Sequence, residues 1–167
     1  ELDKANLRKQ INEAWKEVYY QLGRNEKTPL VDDEFLRAHW ISYFSYSRKK
    51  GDDYIHFLLN KFSVKNIFEK KTIPVDGAMQ EEVVEISKLE PCEISEYVNS
   101  LKDTAKYWYD TFFPLKSDNL SQEEKVWVNR LNRIGIGHFR PLVMVIISRR
   151  DVTAAKRVEV FKAIERF

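Results

Sequence analysis

The sequence contains a single cysteine, Cys92, among 167 residues. That excludes an intrachain disulfide framework and points to a reducing, cytoplasmic setting. Glycine and proline number only five each, and no phosphate-cradling Gly-rich loop, internal repeat or low-complexity tract occurs. Long apolar runs are absent as well. The longest, Leu142 to Ile147, is closed by Arg149 and Arg150, far short of the roughly 18–20 residues that span a bilayer, and no secretory signal is present. Charge of one sign is also lacking. Lys and Arg total 28 against 26 Asp and Glu, a formal net charge of +2. A wholesale polyanion binder is far more basic, so nucleic-acid contact here needs a local patch. What the chain does have is 43% hydrophobic residues to fill a core and 32% charged residues to keep its outside wet, in a length that suits one domain.

Helical periodicity dominates. Leu7, Ile11, Trp15, Val18 and Leu22 share one helix face, and Gly23 follows where a left-handed cap is expected. Asp32 or Asp33 starts a helix through Leu36, Trp40 and Phe44 to about Ser47, and Asp52 or Asp53 starts another through Tyr54 and Leu58. A short helix is expected over 63–70, a loop over Thr72–Gly77, and helical spacing at Met79, Val83 and Ile86. Ile94, Tyr97, Leu101, Ala105, Trp108 and Phe112 form the longest stripe, ended by Pro114. Ser121 and Glu124 make a capping box for a helix carrying Trp127, Leu131 and Ile134. Gly135 and Gly137 mark a turn, and Pro141 suits the first turn of the next helix. The run Leu142–Ile147 reads as strand or buried helix, and the helix is preferred because no partner strand is evident. Asp151 or Thr153 caps a last helix with Ala154, Val158, Phe161 and Ile164 inward. The expectation is an all-α, bundle-like domain of seven or eight helices over residues 1–167. A first residue that is Glu1 and a helical rhythm that continues to Phe167 suggest a piece of a longer multidomain chain.

Chemistry-bearing patterns are sparse. His39 and His56 fall in helices among aromatics and read as packing histidines. The string His138-Phe139-Arg140-Pro141 has the His-x-x-Pro spacing that opens some HNH nucleases, but the downstream Asn and His are missing. The acidic pairs Asp32-Asp33, Asp52-Asp53 and Glu81-Glu82 sit at helix starts, where negative charge complements the dipole. No residue qualifies as catalytic, cofactor-binding or metal-ligating, so the chain is not expected to be an enzyme by itself. Two basic sets are candidate DNA contacts. Arg48, Lys49 and Lys50 follow Trp40, Tyr43, Phe44 and Tyr46, and Arg130, Arg133 and Arg140 surround a turn. Cations hold phosphates and aromatic faces stack on bases.

Three stretches carry a resemblance. They run from Asp32-Asp33-Glu34-Phe35-Leu36-Arg37-Ala38-His39-Trp40-Ile41 on to Asp53-Tyr54, from Asn132 through Gly135, Gly137 and His138 to Leu142, and from Ala163 to Phe167. Together they resemble the helical central region of the GmrSD-like, modification-dependent (type IV) restriction and phage-defence proteins, across nearly the whole chain. That resemblance implies a ParB-like domain before this region, with an Asp-Gly-Gln-Gln-Arg motif, and an HNH-type nuclease domain after it. Neither motif occurs here, and Asp76-Gly77 shares only two letters of the first. The implied role is a non-catalytic helical module that supports or couples flanking nuclease and nucleotide-using domains, with those domains and DNA as partners. A self-contained helical protein-binding or scaffold domain is the alternative, and an independent hydrolase is the weakest reading.

Overall fold

The computed structural model describes residues 2–43, 71–74, 83–86 and 91–167. Among them are six α-helices: α1 (Leu2–Gly23), α2 (Asp32–Tyr43), α3 (Pro91–Phe112), α4 (Gln122–Ile134), α5 (Arg140–Ser148) and α6 (Ala154–Arg166). The described strands form one antiparallel ribbon, β1 (Lys71–Pro74) with β2 (Val83–Ile86), in which Lys71 faces Ile86 and Pro74 faces Val83. The all-α expectation holds among the described residues outside this ribbon. The helices expected from Asp52 or Asp53 and over 63–70, and the extension of α2 to Ser47, lie outside the described residues.

The longest apolar stripe becomes the centre of the fold. α3 packs against α1 along much of its length, and against α5, α2 and α4 on its other sides. Its Ile94, Tyr97, Val98, Leu101, Ala105 and Trp108 are buried. They meet Ala14, Val18 and Leu22 of α1, Phe35 and Ala38 of α2, and Val143, Met144 and Ile147 of α5 in one apolar cluster. α4 and α6 pair at the other end, with Val128, Leu131, Val158 and Phe161 fully enclosed. Each such side chain contributes about 1.5–3 kcal/mol relative to an exposed one.

Most helix boundaries have the local causes read from the sequence. Ser121 Oγ accepts from the Glu124 N–H at 3.3 Å while Glu124 Oε2 accepts from the Ser121 N–H at 2.8 Å, completing the capping box of α4. Thr153, rather than Asp151, caps α6. Pro141 occupies the first turn of α5, and Pro91 likewise begins α3. The run Leu142–Ile147 is helical, with Val143, Met144 and Ile147 inward and Leu142 exposed.

Four readings change. The Thr72–Gly77 stretch is not all loop, because Thr72 to Pro74 belong to β1. Val83 and Ile86 lie in a strand rather than a helix. Val83, Val84 and Ile86 are β-branched, as are Thr72 and Ile73 across the ribbon, and such side chains favour an extended backbone. Three apolar residues are too few to tell a period of 3.6 from a short strand. Gly23 is not left-handed; among the described residues only Gly135 has positive φ, at 82°. The end of α1 is closed instead by the Leu30 N–H, which donates to the Leu22 carbonyl at 2.9 Å and folds the intervening loop back. Ile134, read as continuing the apolar spacing of Trp127 and Leu131, is exposed in the final turn of α4 beside the left-handed Gly135.

Candidate nucleic-acid interface

The second basic set does not converge on a surface. Arg140, on the first turn of α5, points into the molecule. Its Nη1 donates to the Thr111 carbonyl at 2.9 Å and to Asn132 Oδ1 at 3.1 Å, and its guanidinium lies 3.7 Å from the Phe112 ring centroid. Asn132 Nδ2 donates to the same Thr111 carbonyl at 2.8 Å. The last carbonyls of α3, which have no partner within their own helix, are thus satisfied by α4 and α5. Burial lowers the Arg140 pKa from its ordinary value, and the Glu34 carboxylate opposes that. Arg130 pairs with Glu165 across the α4–α6 contact and lies 5.1 Å from the Trp127 ring. Arg133 is exposed in the last turn of α4. Of the three, Arg133 alone is turned freely outward. Arg48, Lys49 and Lys50 lie outside the described residues.

The histidines follow their packing reading where they are described. His39 is 1% exposed. Its ring stacks on Tyr43 at 5.4 Å and meets the edge of Tyr97 at 5.4 Å. Ser100 Oγ donates its proton to the Tyr97 carbonyl at 2.7 Å. It must therefore accept from His39 Nε2–H at 2.9 Å, which leaves Nδ1 as a buried lone pair with no partner among the described residues. Burial lowers the His39 pKa from 6.5 to about 4. His138 is exposed on the short turn before α5, and His56 is outside the described residues. No three His, Cys, Asp or Glu side chains among the described residues are grouped to hold a metal ion. No described helix is long and apolar enough to cross a membrane.

Two features escape sequence reasoning. The first is Asp110, fully buried beneath the segment that follows α3. Its Oδ2 accepts from Asn119 Nδ2 at 2.9 Å, while Oδ1 has no partner among the described residues. Burial raises its pKa; the hydrogen bonds from Asn119 and Ser117 and the charges of Arg24 and Arg150 act against that rise. Arg150 Nη1 donates to the Asn119 carbonyl at 3.0 Å, holding the covering loop down. Asp110 looks like an ordinary helix-surface acid in the sequence, because only the returning chain over 114–120 buries it.

The second feature is a pair of adjoining shallow, solvent-open grooves on the surface of α1. One, of about 610 Å³, is lined by Asn12, Trp15, Lys16, Tyr19 and Tyr20. The other, of about 510 Å³, shares both tyrosines and continues over Gly23, Arg24, Glu26, Tyr109 and Lys116. Arg24 lies 4.1 Å from the Tyr109 ring and its Nη1 donates to Gln21 at 3.0 Å. A signal was available in the adjacent pair Tyr19-Tyr20. It lies off the stripe of Leu7, Ile11, Trp15, Val18 and Leu22, so these two rings are not needed by the core. No family model, curated protein or solved structure matches the chain.

Proposed function

We propose that this chain is a non-catalytic helical module of a DNA-targeting, restriction-type defence protein. It supports or couples flanking nuclease and nucleotide-using domains and contributes to DNA contact. The resemblance of residues 32–54, 132–142 and 163–167 to the GmrSD-like proteins supplies the DNA link. The observation that carries the rest is how those family-like residues are used. Asn132, Gly135 and Arg140 tie the ends of α3, α4 and α5 together, and His39 packs α2 on α3. Residues held in helix junctions transmit position between elements; a catalytic group instead needs access to its substrate.

A self-contained helical protein-binding domain is the second reading, favoured by the exposure of Ile134, Leu142 and Phe167. The parent sequence separates the two. The proposed role requires an upstream Asp-Gly-Gln-Gln-Arg motif and a downstream His-containing nuclease motif, and a parent with neither supports the second reading. Robust turnover of modified DNA by the purified chain with Mg²⁺ and nucleotide would overturn the non-catalytic assignment.

A further inference from the structure

We infer that the paired grooves along α1 bind a single-stranded or unpaired stretch of nucleic acid, with Tyr19 and Tyr20 as stacking faces and Lys16, Arg24 and Lys116 as phosphate contacts. The inference rests on the DNA-contacting part of the proposed function and moves that contact to residues no basic run in the sequence marks. Tyr19 is 59% exposed and Tyr20 62%. Large aromatic rings this open are not core, and both line the junction of the two grooves.

The sign of the surface selects the occupant. α1 buries Ala14, Val18 and Leu22 against α3, so its opposite side faces solvent. That side carries exposed Lys16 about one turn from both tyrosines, while Arg8 and Lys9 lie about two turns further towards the N-terminus and line neither groove. Its carboxylates Glu13 and Glu17 line neither groove: Glu13 lies 3.9 Å from Lys9, and Glu17 accepts a hydrogen bond from the neutral Gln21 amide at 2.6 Å. Glu26 is the carboxylate lining either groove. Lys16 lies on α1 and Arg24 follows directly on its last residue, Gly23, with both tyrosines between them in the chain. A cationic track with interleaved aromatic faces suits a strand whose bases are unstacked, because each base can lie on a ring while its phosphate meets a cation. In an intact duplex the bases already stack on one another and offer no faces to these rings. Trp15, which also lines the first groove, lies 5.8 Å from Tyr19 at an interplanar angle of 31°.

The test is fluorescence anisotropy of the whole chain with a labelled oligothymidine and with a matched duplex, from low to moderate salt. The expected result is tighter binding to the single strand, with affinity falling as salt rises. Tyr19→Ala with Tyr20→Ala should weaken single-strand binding by about tenfold per ring, while Tyr→Phe at both sites keeps it. Both positions are exposed, so an unchanged melting curve shows that the fold survives. Replacing Lys16 and Lys116 with Gln should flatten the salt dependence by about 0.7 in log–log slope for each phosphate no longer neutralised. Single-strand binding indifferent to the tyrosines overturns the inference. So does a preference for duplex that survives their removal, although that result leaves the broader DNA-contacting role standing. No binding to either form at low salt overturns both. A self-associating chain that the tyrosine changes render monomeric assigns the surface to a second copy and overturns the nucleic-acid occupant.

Discussion

Replacing Glu124 with alanine removes one member of a buried ion pair and leaves the other in place. Glu124 Oε1 accepts from Arg157 Nε at 2.6 Å, with the two side chains 1% and 7% exposed respectively. Deleting one partner of such a pair costs about 3–5 kcal/mol, because an uncompensated charge stays buried. Arg157 keeps two acceptors, the Arg149 carbonyl at 3.1 Å and the Val152 carbonyl at 2.5 Å, so the lower end, about 3 kcal/mol, applies. The Ser121 N–H also loses its acceptor, but Ser121 is exposed and water replaces it. For a chain of this size the expected fall in melting temperature is about 6–12 °C, read by circular dichroism at pH 7. Glu159→Ala, which breaks an exposed pair with Lys162, should leave the melt unchanged.

The pH dependence adds an independent check. Burial alone would raise the Glu124 pKa. The hydrogen bonds from Arg157 and Ser121, with the Arg157 charge, outweigh it and hold the carboxyl below its ordinary value of 4.5. A depressed folded pKa means that the unfolded chain takes up the proton first as pH falls. The stabilisation is therefore complete above 4.5 and is lost as pH falls through the folded value. Glu124→Ala should be correspondingly less acid-sensitive in that window. Converting both Glu124 and Arg157 to Met should recover much of the stability, since no unpaired charge remains. A single-variant loss under about 1 kcal/mol, or a double variant no better than the single, refutes the assignment of this pair as a buried, desolvated link.

His39 gives a second pH prediction. Its folded pKa of about 4 lies below the ordinary 6.5, so stability should be complete above 6.5 and decline as pH falls towards 4, by about 3 kcal/mol at most. His39→Phe should flatten that decline in chemical denaturation followed across the range, and an equally steep decline in the variant refutes it. Arg140→Ala should cost about 2–3 kcal/mol, because it strips charged donors from the Thr111 carbonyl and Asn132. Arg133→Ala should stay within about 0.5 kcal/mol, and DNA titrations should show that Arg140→Ala leaves the salt slope unchanged while keeping the fold at room temperature.

The readable parts of the fold are those whose causes lie within a few residues. The Ser121–Glu124 box, the Pro141 start of α5 and the stripe of α3 are local patterns, and each becomes the expected element. The ribbon of β1 and β2 was not legible, because its cause is a pairing across the intervening chain and its strands are four residues each. Gly23 and Gly135 show the same limit at single residues. Both follow a helical stripe, yet the left-handed cap forms only at Gly135; at Gly23 the Leu30 N–H already reaches the Leu22 carbonyl.

Side-chain direction is the harder quantity to read from the sequence. Arg130, Arg133 and Arg140 look equivalent as letters near a turn. Their surroundings separate them into a cross-helix pair with Glu165, an outward cation, and an inward anchor on Thr111. Glu124 combines both ranges. Its capping bond to Ser121 is readable three residues away, while its bond to Arg157 depends on how α6 returns against α4. Because Arg157 also holds the Arg149 and Val152 carbonyls, this one carboxylate links the start of α4 to the turn joining α5 and α6. Arg140 makes the corresponding link at the opposite end of α4, through Asn132 and Thr111. α3 is therefore tied to α4 and α5 by hydrogen bonds at helix ends as well as by apolar contacts. These helix-end bonds are the links on which the proposed coupling role rests.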